Sequence, residues 1–285
     1  MATPVHTPLF AAEHFARYER QQLIRNYQNL TDCNLIVLID QLFPASLTVV
    51  EELLYGFTPN KPIHLLLASP GGNGEAAVRL VRSIQKRCSE LTVLLPDMAK
   101  SAATILCLGA DHLLFGPNGD IGPVDPQLPL PAGLASAKNI VEAVAEAERR
   151  VTNNPQTYPL FGGLLGQVNM LTVEQARSAL ERSSALVEEA LASNPRRSPD
   201  EVAELAQNLQ KPLIDDPKDH SAATSCADAQ RFGLPAVEVD SSSAEWQIVR
   251  NLWAHYFAMH TYPAGPNAIY EGEIASQFIN RERSR

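Results

Sequence analysis

Four short, almost uninterrupted apolar runs constrain this 285-residue chain more than any other feature. They are NLIVLID (34–40), IHLLLA (63–68), LTVLLP (91–96) and DHLLFG (111–116). Runs of that length without polar alternation suit strands covered on both faces. Between them lie PASLTVVEELLYGF (44–57), EAAVRLVRSIQKRC (75–88) and SAATILCLGA (101–110), read as helices. A β-α-β-α-β-α-β order with doubly covered strands predicts an α/β fold: a mostly parallel sheet built of βαβ units with right-handed crossovers.

The flanking regions read differently. Residues 9–29 have helical character and predict an N-terminal helical arm over 1–30. The α/β domain is expected over 31–240, largely helical across 136–232, with AVEVD (236–240) as one more strand. The Gly/Pro-rich stretch 116–133 is too broken for a core element. Residues 241–285, which hold both tryptophans (Trp246 and Trp253), are expected to form a C-terminal helical extension.

Charge and cysteine usage narrow the partners. A net charge of −9 speaks against nucleic acid or an anionic membrane surface as the main partner. Cys33, Cys88, Cys107 and Cys226 are far apart and form no CxxC pair, which predicts neither a disulfide scaffold nor a zinc site. No apolar run reaches membrane-spanning length, and the N-terminus lacks the pattern of a signal peptide. A soluble, cytoplasmic protein is the expectation.

In parallel sheets ligands bind beyond the carboxyl ends of the strands, and two loops there carry chemistry. Ser69-Pro70-Gly71-Gly72 is neither a P-loop nor a GxGxxG turn. Its bare backbone suits an oxyanion better than a diphosphate, although an ordinary helix-start turn uses the same residues. In PDMAKSAAT (96–104), Ser101 falls where a helix begins, a place for a nucleophile or for a simple N-cap. A serine on one strand-end loop and Gly-Gly on its neighbour together supply what acyl transfer needs. No GxSxG elbow occurs, which disfavours an α/β-hydrolase.

LLLASPGGNGEAA, followed by PDMAKSAATILCLGADHLLFGPNGDIGPVDPQ, resembles the Clp/crotonase superfamily of serine peptidases, most closely its serine dehydrogenase proteinase (SDH) branch. Signal peptide peptidases and Clp proteolytic subunits are more distant relatives by the same motifs. The resemblance spans about 60–130, with a weaker echo in 219–239. It implies Ser101 as nucleophile and the N–H groups of Gly71 or Gly72 and of Ala102 as oxyanion hole, with no cofactor and no metal. Clp subunits place a histidine base in the region matching 121–125, where this chain has none. A Ser-Lys dyad of the signal-peptide-peptidase kind would use Lys138, one of only six lysines. Asp219 with His220 is the other candidate base. Such a lysine must be neutral to act, so burial would have to lower its pKa. Lys100, next to the serine, is read as a channel or cap residue, and Asp120 and Asp125 as carboxylates that fix loops.

The resulting expectation is a serine hydrolase cleaving peptide bonds in peptide or protein substrates, working as a homo-oligomer. An inactive scaffold that keeps the fold without a competent base is the first alternative. A crotonase-type acyl-CoA enzyme, with the same two-loop oxyanion hole, is the second.

Overall fold

The computed structural model describes residues 7–57, 59–131, 133–166, 168–215 and 222–281. Asp219 and His220 lie outside the described residues. In chain order the helices and strands begin with α1 (Pro8–Thr31), β1 (Asn34–Ile39), α2 (Ser46–Leu53), β2 (Ile63–Ala68), α3 (Gly74–Gln85) and β3 (Leu91–Leu95). Then come β4 (Met98–Ala99), α4 (Ala102–Leu108), β5 (His112–Phe115), β6 (Asp120–Ile121), β7 (Gln127–Leu130) and β8 (Gly133–Ser136). The second half comprises α5 (Ala137–Asn153), α6 (Tyr158–Leu164), α7 (Met170–Leu191), α8 (Pro199–Gln210) and α9 (Cys226–Arg231). It closes with β9 (Ala236–Glu238), α10 (Ala244–Ala258), β10 (Ala268–Glu271) and β11 (Ser276–Ile279).

The main sheet runs β11-β10-β1-β2-β3-β5-β9. Its five central and right-hand strands, β1, β2, β3, β5 and β9, are mutually parallel, and the apolar runs that form β1, β2 and β3 are buried. Burial on both faces follows from the two layers that cover the sheet. One core joins β1–β3 to α2, α3, α4 and α7 through Leu65, Leu67, Val81, Ile84, Leu106 and Leu191. The other packs α1 and α10 on the opposite face through Ile24, Tyr27, Val249, Leu252 and Tyr256. The expected mostly parallel α/β architecture is what the chain adopts.

Two elements depart from the sequence reading. The Gly/Pro-rich stretch ends in a small hairpin, β7 with β8, whose side chains are only partly buried. Residues 241–285 are not helical throughout: after α10 the chain turns back and adds two antiparallel strands beside β1. Without them the β1 edge would expose unpaired backbone groups. Among the described residues no helix is long and apolar enough to cross a membrane.

One half-buried histidine is expected to make the fold sensitive to acid. The Tyr27 hydroxyl lies 2.7 Å from His64 Nδ1, joining α1 to the start of β2. Burial, with His112 nearby, pulls the His64 pKa down to about 4. An unfolded histidine titrates near ~6.5, so between the two values the unfolded chain binds the extra proton. Stability is therefore expected to fall as pH drops through that window, by at most about 1.4 kcal/mol per pH unit. Urea titrations from pH 7 to pH 4 on wild type and His64→Gln test this: the slope should shrink in the variant, and an equal slope would remove His64 as its source.

Candidate active site

The parallel strands bring the carboxyl ends of β1, β2 and β3 to one edge, and three loops meet there. Ser69, fully buried, ends the β2 run and forms a bridge to Ala99. Its N–H donates to the Met98 carbonyl at 3.0 Å, and its carbonyl accepts from Lys100 N–H at 3.0 Å. The glycine loop is thus stitched directly to the loop that carries Ser101.

Gly71 and Gly72 have φ of +106° and +133°, conformations that L side chains rarely adopt. Their surroundings impose a second requirement. A Cβ on Gly71 would come 2.7 Å from Ser101 Cβ and 3.2 Å from Ala102 N. One on Gly72 would overlap the Leu42 carbonyl oxygen and lie 2.9 Å from Leu42 N. Gly71 permits a close approach to Ser101, and Gly72 a close approach to the Leu42 backbone.

The structure separates their roles. Gly71 N–H donates to Ser69 Oγ at 3.1 Å, so it is engaged within its own turn. Gly72 N–H and Ala102 N–H meet no acceptor among the described residues. Of the two glycines, Gly72 is the one whose donor is available. Gly71 serves by being small.

Ser101 itself has φ +52° and ψ −118°. A non-glycine residue in that region stores strain of order 1–3 kcal/mol and is held there by its surroundings. The holding contacts are visible: Ala103 N–H donates to the Lys100 carbonyl, and Ile105 N–H to the Ser101 carbonyl. Ser101 does not cap α4 with its side chain. It opens instead onto a hollow of ≈ 230 Å³, shared with Gly72, Ala102, Ile105, Val124, Pro126 and Leu186. Glu75 and Arg182 also line it. They form a two-pronged pair at 2.6 and 2.8 Å that links α3 to α7. The Arg182 hydrogen bond holds the Glu75 carboxyl below its ordinary range.

Lys138 is placed elsewhere. It sits in the first turn of α5, which packs on α7 through Ala137, Ile140, Val173 and Ala176. Its side chain lines a different hollow, with Leu180, Gln210 and Asp215, and lies 3.7 Å from Glu142. The structure therefore does not bring Lys138 into the Ser101 hollow. Position along a helix predicts nearness in sequence, not which face of the α5–α7 pair a side chain takes.

Lys100 is neither channel residue nor cap. It is buried, 9% exposed, and its ammonium meets Asp120 at 2.8 Å, with the Ile121 and Ala222 carbonyls at 3.4 and 3.3 Å. It therefore staples the 120–122 and 222–224 segments beneath the nucleophile loop. Thr104 completes that staple: its Oγ accepts the Gly122 N–H at 3.0 Å and lies 2.9 Å from the Ala99 carbonyl. Nothing in a small-residue helix marks this threonine in advance.

A serine-bearing turn of strained backbone thus meets a glycine loop from the neighbouring strand. The model of a family described as ClpP-like SDH-type serine proteinase matches residues 50–157. The resemblance to the Clp-like SDH family is thereby shown. The matched segment contains Gly71, Gly72, Ser101, Ala102 and Lys138, whereas Asp219 and His220 lie beyond it. Two curated relatives, both from Methanocaldococcus jannaschii, match in the same way. Uncharacterized protein MJ0137 is 37% identical over 87 residues, 30% of this chain and 29% of that protein. Uncharacterized protein MJ1495 is 31% identical over 106 residues, 36% and 35% of the two chains. This chain thus spans about a third of the length of the curated relatives it matches.

Proposed function

We propose that the chain is a serine peptidase in which Ser101 attacks the carbonyl of a peptide bond. The observation that carries this reading is the strained Ser101 turn pressed against Gly71, with two N–H donors beside it, Gly72 and Ala102, that meet no acceptor among the described residues. The oxygen of the attacked carbonyl takes up negative charge between those donors. The Ser101 proton passes to a base and then to the leaving amine, and water releases the acyl group.

The proposed proton acceptor is His220, with Asp219 beside it, rather than Lys138. The support is chain connectivity. On one flank, the Leu213 carbonyl accepts the N–H of Val124, a residue lining the Ser101 hollow. On the other, the Ala222 carbonyl meets the ammonium of Lys100, the neighbour of Ser101. The proposed working form is a homo-oligomer acting on peptides, in line with ClpP-like proteinases generally. Exposed Tyr158, Leu160, Leu164, Met170 and Leu171 supply apolar surface for contact between copies. The four cysteines are free thiols, in keeping with a cytoplasmic setting.

A fluorophosphonate probe tests the reading. Wild type should label, Ser101→Ala should not, and His220→Ala should lose labelling by about 10²–10⁴-fold while Lys138→Ala stays close to wild type. Absence of labelling in folded wild type would replace the peptidase with the scaffold. Equal loss in Lys138→Ala alone would restore the dyad.

A further inference from the structure

Beyond the residues that touch a substrate, the site depends on how Gly72 is aimed. Glycine at φ +133° has no side chain to hold it, so the direction of its N–H must be imposed from outside. The imposing group is the backbone of Leu42. Its N–H donates to the Gly71 carbonyl at 2.7 Å, and its carbonyl accepts the Asn73 N–H at 2.9 Å. These two bonds fix the peptide groups on either side of Gly72.

Leu42 lies in the loop that follows β1, and that loop is tied down by one buried carboxylate. Asp40, 3% exposed, accepts the Gln41 N–H at 2.7 Å and the Tyr270 hydroxyl at 2.8 Å. Arg281 reaches it with one guanidinium nitrogen, 2.8 Å from Oδ1 and 3.0 Å from Oδ2. Tyr270 is also 2.8 Å from Ser46 Oγ, which accepts the Phe43 N–H at 3.1 Å. The Arg281 guanidinium lies over the Phe43 ring, 5.7 Å from its centre. Residues 41, 43 and 46 are therefore all held, directly or through Tyr270 and Arg281, by a network centred on Asp40. Leu42, between them, is left to hold the glycine loop.

We infer that Asp40 is a positioning residue for Gly72, acting through Leu42 and held in place by Tyr270 of β10 and by Arg281, which follows β11. This deepens the peptidase reading and rests on it for its catalytic consequence. The C-terminal segment then has a task besides closing the sheet edge: Tyr270 of β10, and Arg281 just after β11, hold the loop that positions Gly72.

The experiment is amide hydrogen exchange on the full chain, paired with kinetics. In Asp40→Asn and Tyr270→Phe the Leu42 and Asn73 amides should exchange about tenfold faster, with the β2 and β3 amides unchanged. Peptide turnover should fall by about tenfold in kcat at unchanged KM, and Arg281→Lys should retain more of it than Arg281→Met. Arg281 is partly exposed, so its variants keep the test open should Asp40→Asn fail to fold. Unchanged exchange at Leu42 and Asn73, or a uniform rise across the sheet, overturns the inference. Wild type that never labels with fluorophosphonate removes the peptidase reading alone, because the exchange pattern still decides whether Asp40 holds the loop.

Discussion

Gly72→Ala is expected to lower kcat/KM by about 10²–10³-fold while leaving the protein folded. The added methyl falls on the Leu42 carbonyl oxygen, and that atom is backbone, held by Asn73 N–H, so it cannot swing aside. Either Leu42 retreats or the Gly71–Gly72 peptide turns; both take the Gly72 N–H away from the carbonyl that Ser101 is proposed to attack. Strain from the positive φ contributes as well, and Gly56→Ala measures it separately. Gly56 has φ +81° and nothing within 4 Å of a new Cβ, so its variant carries conformational strain without collision. That strain is worth about 1 kcal/mol and should lower the melting temperature slightly without touching activity. Fluorophosphonate labelling rates on the two variants, each with its thermal melt, separate the effects. A Gly72→Ala protein that labels at the wild-type rate would remove Gly72 from the oxyanion hole.

The parts of this site that could be read in the sequence are those that depend on strand ends. Continuous apolar runs fix where β1, β2, β3 and β5 stop, and a parallel sheet puts every such stop on one edge, so Ser101 and the glycine pair fall together. The choice between Gly71 and Gly72 was not legible, because it turns on one hydroxyl: Ser69 Oγ takes the Gly71 N–H. Lys138 lines a different hollow for another reason. Its distance along the chain suits a dyad, but α5 and α7 share a core through Ala137 and Ala176, and the lysine turns to Glu142. Strands β10 and β11 were invisible as AIYE and SQFI: each is four residues long, and the first buries a glutamate. Asp40 looked like the polar end of a strand. Its partners, Tyr270 and Arg281, lie at the other end of the chain.

That buried glutamate is the second large effect. Glu271, 0% exposed in β10, accepts a two-pronged pair from Arg20 of α1 at 2.7 and 3.0 Å. The Tyr256 hydroxyl of α10 donates to it at 2.9 Å and Ser276 Oγ at 2.7 Å. One carboxylate thus fastens the N-terminal helix, the last helix and the C-terminal strands. Burial weakens the charged form of Arg20, yet the Glu271 partner outweighs it, and the net pKa of the guanidinium is raised. The single change Glu271→Leu leaves that cation buried without its partner, at a cost of about 3–5 kcal/mol. Combining it with Arg20→Met removes the stranded charge and should recover part of the loss. Recovery stays incomplete because the Tyr256 hydroxyl, fully buried, still loses its acceptor, worth about 1–3 kcal/mol. Chemical denaturation of the two single variants and the double closes the cycle. A strictly additive double variant would mean that Arg20 and Glu271 stabilise the chain independently, and that the packing of Tyr256 and Ile24, not the ion pair, joins α1 and α10 to the sheet.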